Sequence, residues 1–221
     1  MKKYLLPLML ACLAAGSCNL NGTYYIENAD DFVTTRDSKL VNDYGATYTV
    51  TEDSSSKKWK EEGLRSYIVF DIKDRDYNIT LKSVTPATIS EPVLKDLPND
   101  DPHDPISPVK AFVSGGYLNM VFNYYIEKGS DFLHTISLLY EKPESGIMKL
   151  YLMHDGNNEN PAYMDEDKLE TVSKTYSFPL KELVKNTSGV TSLALTIDSL
   201  IAKSDEGYEV RHTRLLNISV Q

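Results

Sequence analysis

SGGYLNMVFNYY, residues 114–125, has two glycines near its start, and apolar residues then alternate with Tyr117, Asn119, Val121 and Asn123. Alternation with a period of two is typical of a β-strand with one buried face. Gly115 and Gly116 tolerate backbone angles that a side chain would penalise, so the chain can reverse sharply just before this strand. The stretch therefore predicts a hairpin, with Asn119 and Asn123 on the face away from the core. The buried face is predicted to carry Leu118, Met120, Phe122 and Tyr124.

The same alternation recurs along the C-terminal half and predicts seven strands in all. Seven strands at this spacing indicate a β-sandwich. PLKELVK, residues 179–185, is instead predicted to form a short helix, because Pro179 suits a first helical turn and the apolar residues form one stripe. The strands are predicted near residues 109–114, 117–127, 132–141, 147–154, 173–179, 191–199 and 208–219. Their core-facing residues are predicted to be Ile136, Leu138, Tyr140, Met148, Leu150, Leu152, Tyr176, Phe178, Leu193, Leu195 and Ile197.

Three strands are predicted in the N-terminal half, at residues 45–51, 64–72 and 77–84. EDSSSKKWKEEG, residues 52–63, is polar and ends in glycine, which predicts a surface loop or a short helix. A few short strands in so small a unit favour an antiparallel barrel, because closure removes exposed strand edges.

The N-terminus, MKKYLLPLMLACLAAGSC, is predicted to be an export signal, because two lysines precede an apolar stretch too short to span a membrane. Small residues at 15–17 stand directly before Cys18. This is the pattern of a bacterial lipobox, in which cleavage exposes a cysteine that then carries lipid. Cys12 competes for this role, but it follows a shorter apolar stretch and larger residues. We predict that Cys18 is lipidated and that its acyl chains anchor the protein, since each buried methylene adds about 0.8 kcal/mol.

Proline marks a boundary between two domains. Six of the ten prolines fall between residues 86 and 108. No helix and no central strand can carry this density, because proline lacks a backbone N–H. We therefore predict a signal peptide at 1–17, a barrel at 18–85, a linker at 86–108 and a sandwich at 109–221.

Charge and cysteine content exclude some classes of protein. Loss of two lysines with the signal takes the net charge from −9 to −11. This acidity excludes the basic surface that a nucleic-acid-binding protein needs, and it disfavours electrostatic attraction to anionic lipids. With Cys18 acylated, no disulfide can form, so packing alone must hold the fold.

Several motifs resemble the NigD-like lipoproteins of the Bacteroidota. DPHDPISP, VKAFVSGGYLNMVFNY, FLHTISLLY, IMKLYLMHDGNNEN and YSFPLKEL are similar to the C-terminal domain of that family. The most specific are GGYLNMVF, residues 115–122, and the histidine that ends LYLMH. EGLRSYIVFDI and YNITLKSV are similar to the N-terminal barrel of the family, with weaker motifs.

This resemblance implies an all-β protein, with an OB-like N-terminal barrel followed by an immunoglobulin-like, seven-stranded β-sandwich. It also implies an envelope lipoprotein, but no activity. The family name comes from association with a bacteriocin gene cluster, which suggests an immunity or accessory role. Surface-displayed lipoproteins of this phylum tend to carry an acidic run after the lipidated cysteine, whereas NLNG stands at 19–22 here. We therefore expect an outer-membrane lipoprotein that faces the periplasm.

Three histidines occupy positions that the alternation assigns to the apolar face of predicted strands: His134, His154 and His212. Three imidazoles that meet at one end of a sandwich could hold zinc. Their spacing matches no metal motif, however, and a half-buried histidine usually satisfies a local hydrogen bond. We favour that interpretation and predict no metal and no cofactor.

DGNNENPAYMDE, residues 155–166, resembles a calcium loop in part, with ligand-type oxygens at Asp155, Asn157, Glu159 and Glu166. Asn160 stands where such a loop has glycine, and the flanking segments are strands. A plain polar loop is the favoured interpretation.

KKWK, residues 57–60, places the only tryptophan among lysines, on the side where OB-like barrels contact ligands. Trp59 could therefore contact a glycan or a protein partner. Alternatively, it folds back onto the barrel.

No nucleophile, metalloprotease or phosphate-binding motif is present in the sequence. We therefore predict a lipid-anchored binding or accessory protein with an unidentified protein or glycan partner, not an enzyme. A bacteriocin-immunity protein is one alternative. A metal-dependent hydrolase at the histidine end of the sandwich is another.

Overall fold

The computed structural model describes residues 24–55, 57–95, 104–156, 166–186, 189–204 and 207–219. Cys18, Asn157 and Glu159 lie outside these ranges, as do the side chains of Glu166 and His212. Within the ranges, the chain forms a closed β-barrel followed by a two-sheet β-sandwich. The all-β prediction is confirmed.

The barrel closes in the order β1-β2-β3-β5-β4, the arrangement of a five-stranded OB-like Greek key. β3 and β5 are parallel, and the other neighbours are antiparallel. Its core contains Phe70, Ile79 and Leu81 from the predicted strands. Its strands are β1 (Ile26–Arg36), β2 (Lys39–Asn42), β3 (Thr47–Asp53), β4 (Arg65–Ile72) and β5 (Asn78–Pro86).

Two of these strands, β1 and β2, were not predicted from the sequence. β1 reads IENADDFVTTR, and its charged residues hide the alternation. Asp31 is accommodated because its carboxylate accepts hydrogen bonds from Tyr48 Oη at 2.8 Å and Asn42 Nδ2 at 3.1 Å. These partners become neighbours only when the barrel closes.

The sandwich pairs a five-stranded sheet, ordered β14-β13-β11-β10-β7, with a four-stranded sheet, ordered β6-β12-β9-β8. All seven predicted strands are present, and the predicted core-facing residues lie in or against one core between the sheets. The strands are β6 (Thr88–Ile89), β7 (Val93–Leu94), β8 (Ser107–Ser114), β9 (Tyr117–Glu127), β10 (Thr135–Tyr140), β11 (Ile147–Asp155), β12 (Leu169–Pro179), β13 (Ser192–Ser204) and β14 (Gly207–Ser219).

The proline-rich segment also contributes to the sandwich. β6 pairs with β12 and β7 pairs with β10, each over two residues. Both are edge strands, so each forms ladder hydrogen bonds on one side only. A segment rich in proline can form such a strand, because fewer backbone N–H groups are needed there. The sandwich thus has two short edge strands beyond the seven predicted.

The predicted helix is α1 (Lys181–Asn186), which starts after β12 has ended at Pro179. Leu180 is buried, and Leu183 and Val184 pack against the sandwich core. The backbone N–H groups of Leu180 and Lys181 both donate to Gly116 O, at 2.7 and 3.0 Å. Within the described part of the chain, no helix combines the length and the apolar character that crossing a membrane requires.

Arg65, at the start of β4, joins the barrel to the outer face of the four-stranded sheet. Its guanidinium pairs with Asp43 through two bonds of 2.8 and 2.7 Å. It also donates to Ser177 Oγ at 2.8 Å, to Asn119 Oδ1 at 2.8 Å and to Thr34 Oγ1 at 3.3 Å. These bonds use all five guanidinium N–H groups. The charge is therefore fully satisfied although Arg65 is buried.

Residues 114–119 form the sandwich side of this junction. Ser114 Oγ donates to Asp43 Oδ2 at 2.5 Å, and Asn119 Nδ2 donates to Ser114 Oγ at 2.8 Å. The Tyr117 ring lies 4.2 Å from the Arg65 guanidinium carbon, a cation–π contact. Gly115 has φ +57°, and a Cβ there would lie 2.5 Å from the Asp43 carboxyl. The glycine is thus needed for the turn and also for the approach of the barrel.

Candidate functional site

Two of the three candidate histidines, His134 and His154, meet at one end of the sandwich. His154 continues the core-facing row of β11, and its register partner on β10 is Ile136. His134 precedes β10 directly, and its Nδ1 lies 2.9 Å from His154 Nε2. The Tyr124 ring stacks on His134, with centroids 4.7 Å apart, and lies 4.8 Å from the His154 ring. The cluster is therefore two imidazoles packed on one phenol.

The hydrogen bonds determine which nitrogen of His154 carries a proton. His154 Nδ1 lies 3.1 Å from the backbone oxygen of Asp104, which can only accept, so Nδ1 is protonated. In the neutral ring, Nε2 then accepts the bond from His134 Nδ1–H. Both nitrogens of His154 are thus engaged, and its lone pair is already used.

The third histidine, His212, lies in β14 opposite Asp198. Among the described side chains, no group of three or more His, Cys, Asp or Glu residues has the arrangement of a metal site. His134 and His154 form hydrogen bonds with protein atoms.

Burial determines the charge state of His154. The side chain is 3% exposed, and burial, with a smaller effect from neighbouring His134, lowers the pKa of His154 to about 4. An unfolded histidine titrates near 6.5. Between these values the unfolded chain binds more protons than the folded chain. His154 therefore contributes stability that is complete above about pH 6.5 and is lost as the pH falls through 4.

We expect a His154→Gln variant to lose less stability on acidification than the parent. Between pH 7 and pH 4.5, the free energy of unfolding of the parent should fall by about 2–3 kcal/mol more than that of the variant. This difference is the contribution of His154. Urea denaturation at both pH values measures this difference. An equally steep fall in the variant would show that other groups are responsible.

The segment that resembles a calcium loop in part begins at Asp155, the last residue of β11. Gly156 N donates to Asp104 Oδ2 at 2.7 Å, so this Asp104 oxygen is engaged by the start of the loop. The loop positions Asn157 and Glu159 lie outside the described residues, as does the side chain of Glu166.

Trp59 folds back onto the barrel, the second of its two sequence-based interpretations. The side chain is 5% exposed and belongs to the barrel core. Its Nε1 donates to Asp53 Oδ2 at 2.8 Å, and its backbone oxygen accepts a hydrogen bond from Thr35 Oγ1 at 2.6 Å. Contact with a glycan or protein partner would require the indole to leave this position. Burying an indole is strongly favourable, and this explains the conformation.

The loop that leads to His134 carries two exposed apolar side chains. Phe132 is 59% exposed and Leu133 is 89% exposed. The predicted strand at 132–141 in fact begins at Thr135, which leaves both residues on the loop. Sequence reasoning missed this surface because the pair was assigned to a strand. The preceding Gly-Ser-Asp, residues 129–131, could have indicated a longer turn.

Comparison with known families identifies the sandwich. Residues 90–211, more than half of the chain, match the NigD-like C-terminal beta sandwich domain. The protein belongs to the NigD-like family. The resemblance recognised in GGYLNMVF is thereby confirmed. The comparison with curated proteins found no match.

Several solved structures share the fold of this NigD-like protein. A NigD-like immunity protein from Bacteroides caccae ATCC 43185 is 18% identical, with a TM-score of 0.58 over 86% of this chain and 93% of that one. A protein of unknown function from Bacteroides vulgatus ATCC 8482 is 15% identical, with a TM-score of 0.57 over 87% and 92%. A candidate lipoprotein from Bacteroides fragilis NCTC 9343 is 12% identical, with a TM-score of 0.54 over 86% and 98%. At these identities the likeness concerns the fold alone.

Proposed function

We propose that this NigD-like protein is an outer-membrane lipoprotein that faces the periplasm and acts by binding a protein or glycan partner. The lipobox carries the proposal: small residues precede Cys18 directly after an apolar stretch of export-signal length. The fold shared with a candidate lipoprotein supports it. The absence of an acidic run at 19–22 favours the periplasmic face.

The contacts of His154 weigh against a hydrolase at the histidine end of the sandwich. An acid, base or nucleophile must reach a substrate in order to react with it. Both nitrogens of His154 instead bond to protein atoms. A hydrolase at the histidine end therefore has less support than a binding protein.

A bacteriocin-immunity protein is the second candidate. It is favoured by one observation, the fold shared with a NigD-like immunity protein from Bacteroides caccae. Both candidates act by binding, but they differ in the partner, which for an immunity protein is a bacteriocin or the target of that bacteriocin.

Metabolic labelling with palmitate tests the anchor. We expect the parent to incorporate label, the Cys18→Ala variant to lose it, and the Cys12→Ala variant to keep it, because only Cys18 remains in the mature chain. Incorporation that survives Cys18→Ala would refute the anchor. Cross-linking of the lipidated protein in intact envelopes then distinguishes the candidates. A captured bacteriocin or bacteriocin target supports immunity, and a captured glycan or an envelope protein that no bacteriocin targets supports the accessory role.

A further inference from the structure

Strands β1 of the barrel and β8 of the sandwich lie side by side and run in the same direction. Two contacts join them in the same order along both strands, and both strands then reach the Arg65 junction, β1 through Thr34. Lys110 forms an ion pair with Asp30, and the rings of Phe112 and Phe32 lie 5.6 Å apart in an edge-to-face arrangement. Ser114, at the end of β8, then reaches the Arg65 junction. The beginnings of β1 and β8 therefore lie toward the same end of the molecule.

The loop between β9 and β10, residues 128–134, lies at that same end. β9 is antiparallel to β8 and continues past the start of β8, where Asn123 pairs with Ser107. The described chain begins at Tyr24, just before β1. Tyr25 is 51% exposed. Tyr24, where the described chain begins, and the loop 128–134 thus lie at the same end, while Asp43 and Ser114 mark the opposite end.

The base of the loop is held by hydrogen bonds, and its tip is apolar. Ser130 N donates to Glu127 O at 2.9 Å, and Lys128 Nζ donates to Asp167 O at 2.6 Å. Phe132 and Leu133 nevertheless remain exposed side by side. Adjacent exposed apolar side chains on an anchored loop indicate a surface that is covered in its working state.

The length of the tether identifies what covers them. Cys18 and Tyr24 are six residues apart, and six residues span at most about 20 Å even when fully extended. If Cys18 is lipidated, the tether holds the end that carries Tyr25 within about 20 Å of the bilayer, and the loop lies at that same end. Aromatic and leucine side chains bind favourably at the boundary between head groups and acyl chains.

We propose that Phe132 and Leu133 insert into the bilayer and form a second membrane contact beside the lipid anchor. This inference rests on the proposed lipidation of Cys18. The contact is apolar and not electrostatic, because a net charge of −11 gives no attraction to anionic lipids. It holds the sandwich against the membrane and leaves the opposite end, with the exposed Tyr44, directed toward the periplasm.

Fluorescence quenching tests the insertion in the lipidated protein. Because Cys18 is acylated in that protein, a Leu133→Cys variant presents one thiol for a fluorophore, and Tyr44→Cys provides the matched control at the opposite end. In phosphatidylethanolamine vesicles that contain brominated acyl chains, we expect strong quenching at position 133 and none at 44. Equal quenching at both positions, or none at either, would overturn the inference and leave the anchor intact.

A second measurement separates this inference from the proposed function. Unacylated mature protein, coupled through the Cys18 thiol to a maleimide lipid, is held at the membrane whether or not the native protein is lipidated. Amide hydrogen exchange of residues 128–134 should slow about tenfold on the vesicle, and Leu133→Asp should abolish the slowing. Unchanged exchange would refute the insertion. Slowed exchange in a protein that palmitate does not label would refute only the native anchor.

Discussion

Replacing Arg65 by methionine is expected to lower the free energy of unfolding by about 3–5 kcal/mol, because it leaves the Asp43 carboxylate buried without its counter-charge. Asp43 and Arg65 bury their side chains almost completely in a bidentate pair within the barrel. Hydrogen bonds join this pair to the sandwich. Ser177 and Asn119 would lose a donor as well. Urea denaturation measures the loss.

A double variant distinguishes loss of charge compensation from loss of packing. Arg65→Met combined with Asp43→Leu removes both charges, and we expect it to regain most of the lost stability, since replacing a buried ion pair by apolar residues is often close to neutral. The control is Arg75→Met, an exposed arginine in a hairpin, which should change stability by less than about 0.5 kcal/mol. If the double variant were no more stable than Arg65→Met, the charge argument would be wrong.

The second large effect is expected at Gly115. Gly115→Ala should cost about 2–4 kcal/mol, because the new Cβ combines a left-handed backbone with a clash against the Asp43 carboxyl, 2.5 Å away. Asp43 cannot move aside without breaking its pair with Arg65. Thermal or urea unfolding of the variant measures the cost.

Gly129 provides the matched control for this substitution. Its φ of +79° is also left-handed, but nothing lies within 4 Å of the position that a Cβ would take. Gly129→Ala should therefore show the backbone strain alone, about 1 kcal/mol. Similar costs at both positions would mean that the approach of Asp43 contributes nothing.

The histidine end of the sandwich shows what alternation along a strand can predict and what it cannot. The alternation along β11 predicts that His154 shares the core-facing side with Met148, Leu150 and Leu152, and all four side chains are buried. Parity could not show that His134 would be its partner, because that depends on the pairing of β10 with β11. Phe132 was misassigned for a related reason: an apolar residue next to a strand looks the same whether it enters the core or points to solvent.

Local periodicity was sufficient for ten of the strands and the helix, because a strand or helix with one apolar face carries a periodic signal in its own residues. The same signal led to the family through GGYLNMVF. No periodic signal in the sequence marks strands β1 and β2 or the Arg65 junction. Asp31 is stabilised by Tyr48, and Arg65 by Asn119, 54 residues further along the chain. A charged residue is read from sequence as exposed, and only a partner brought close by folding makes its burial favourable. The way the barrel meets the sandwich therefore depends on contacts between residues far apart in the chain, which no local pattern encodes.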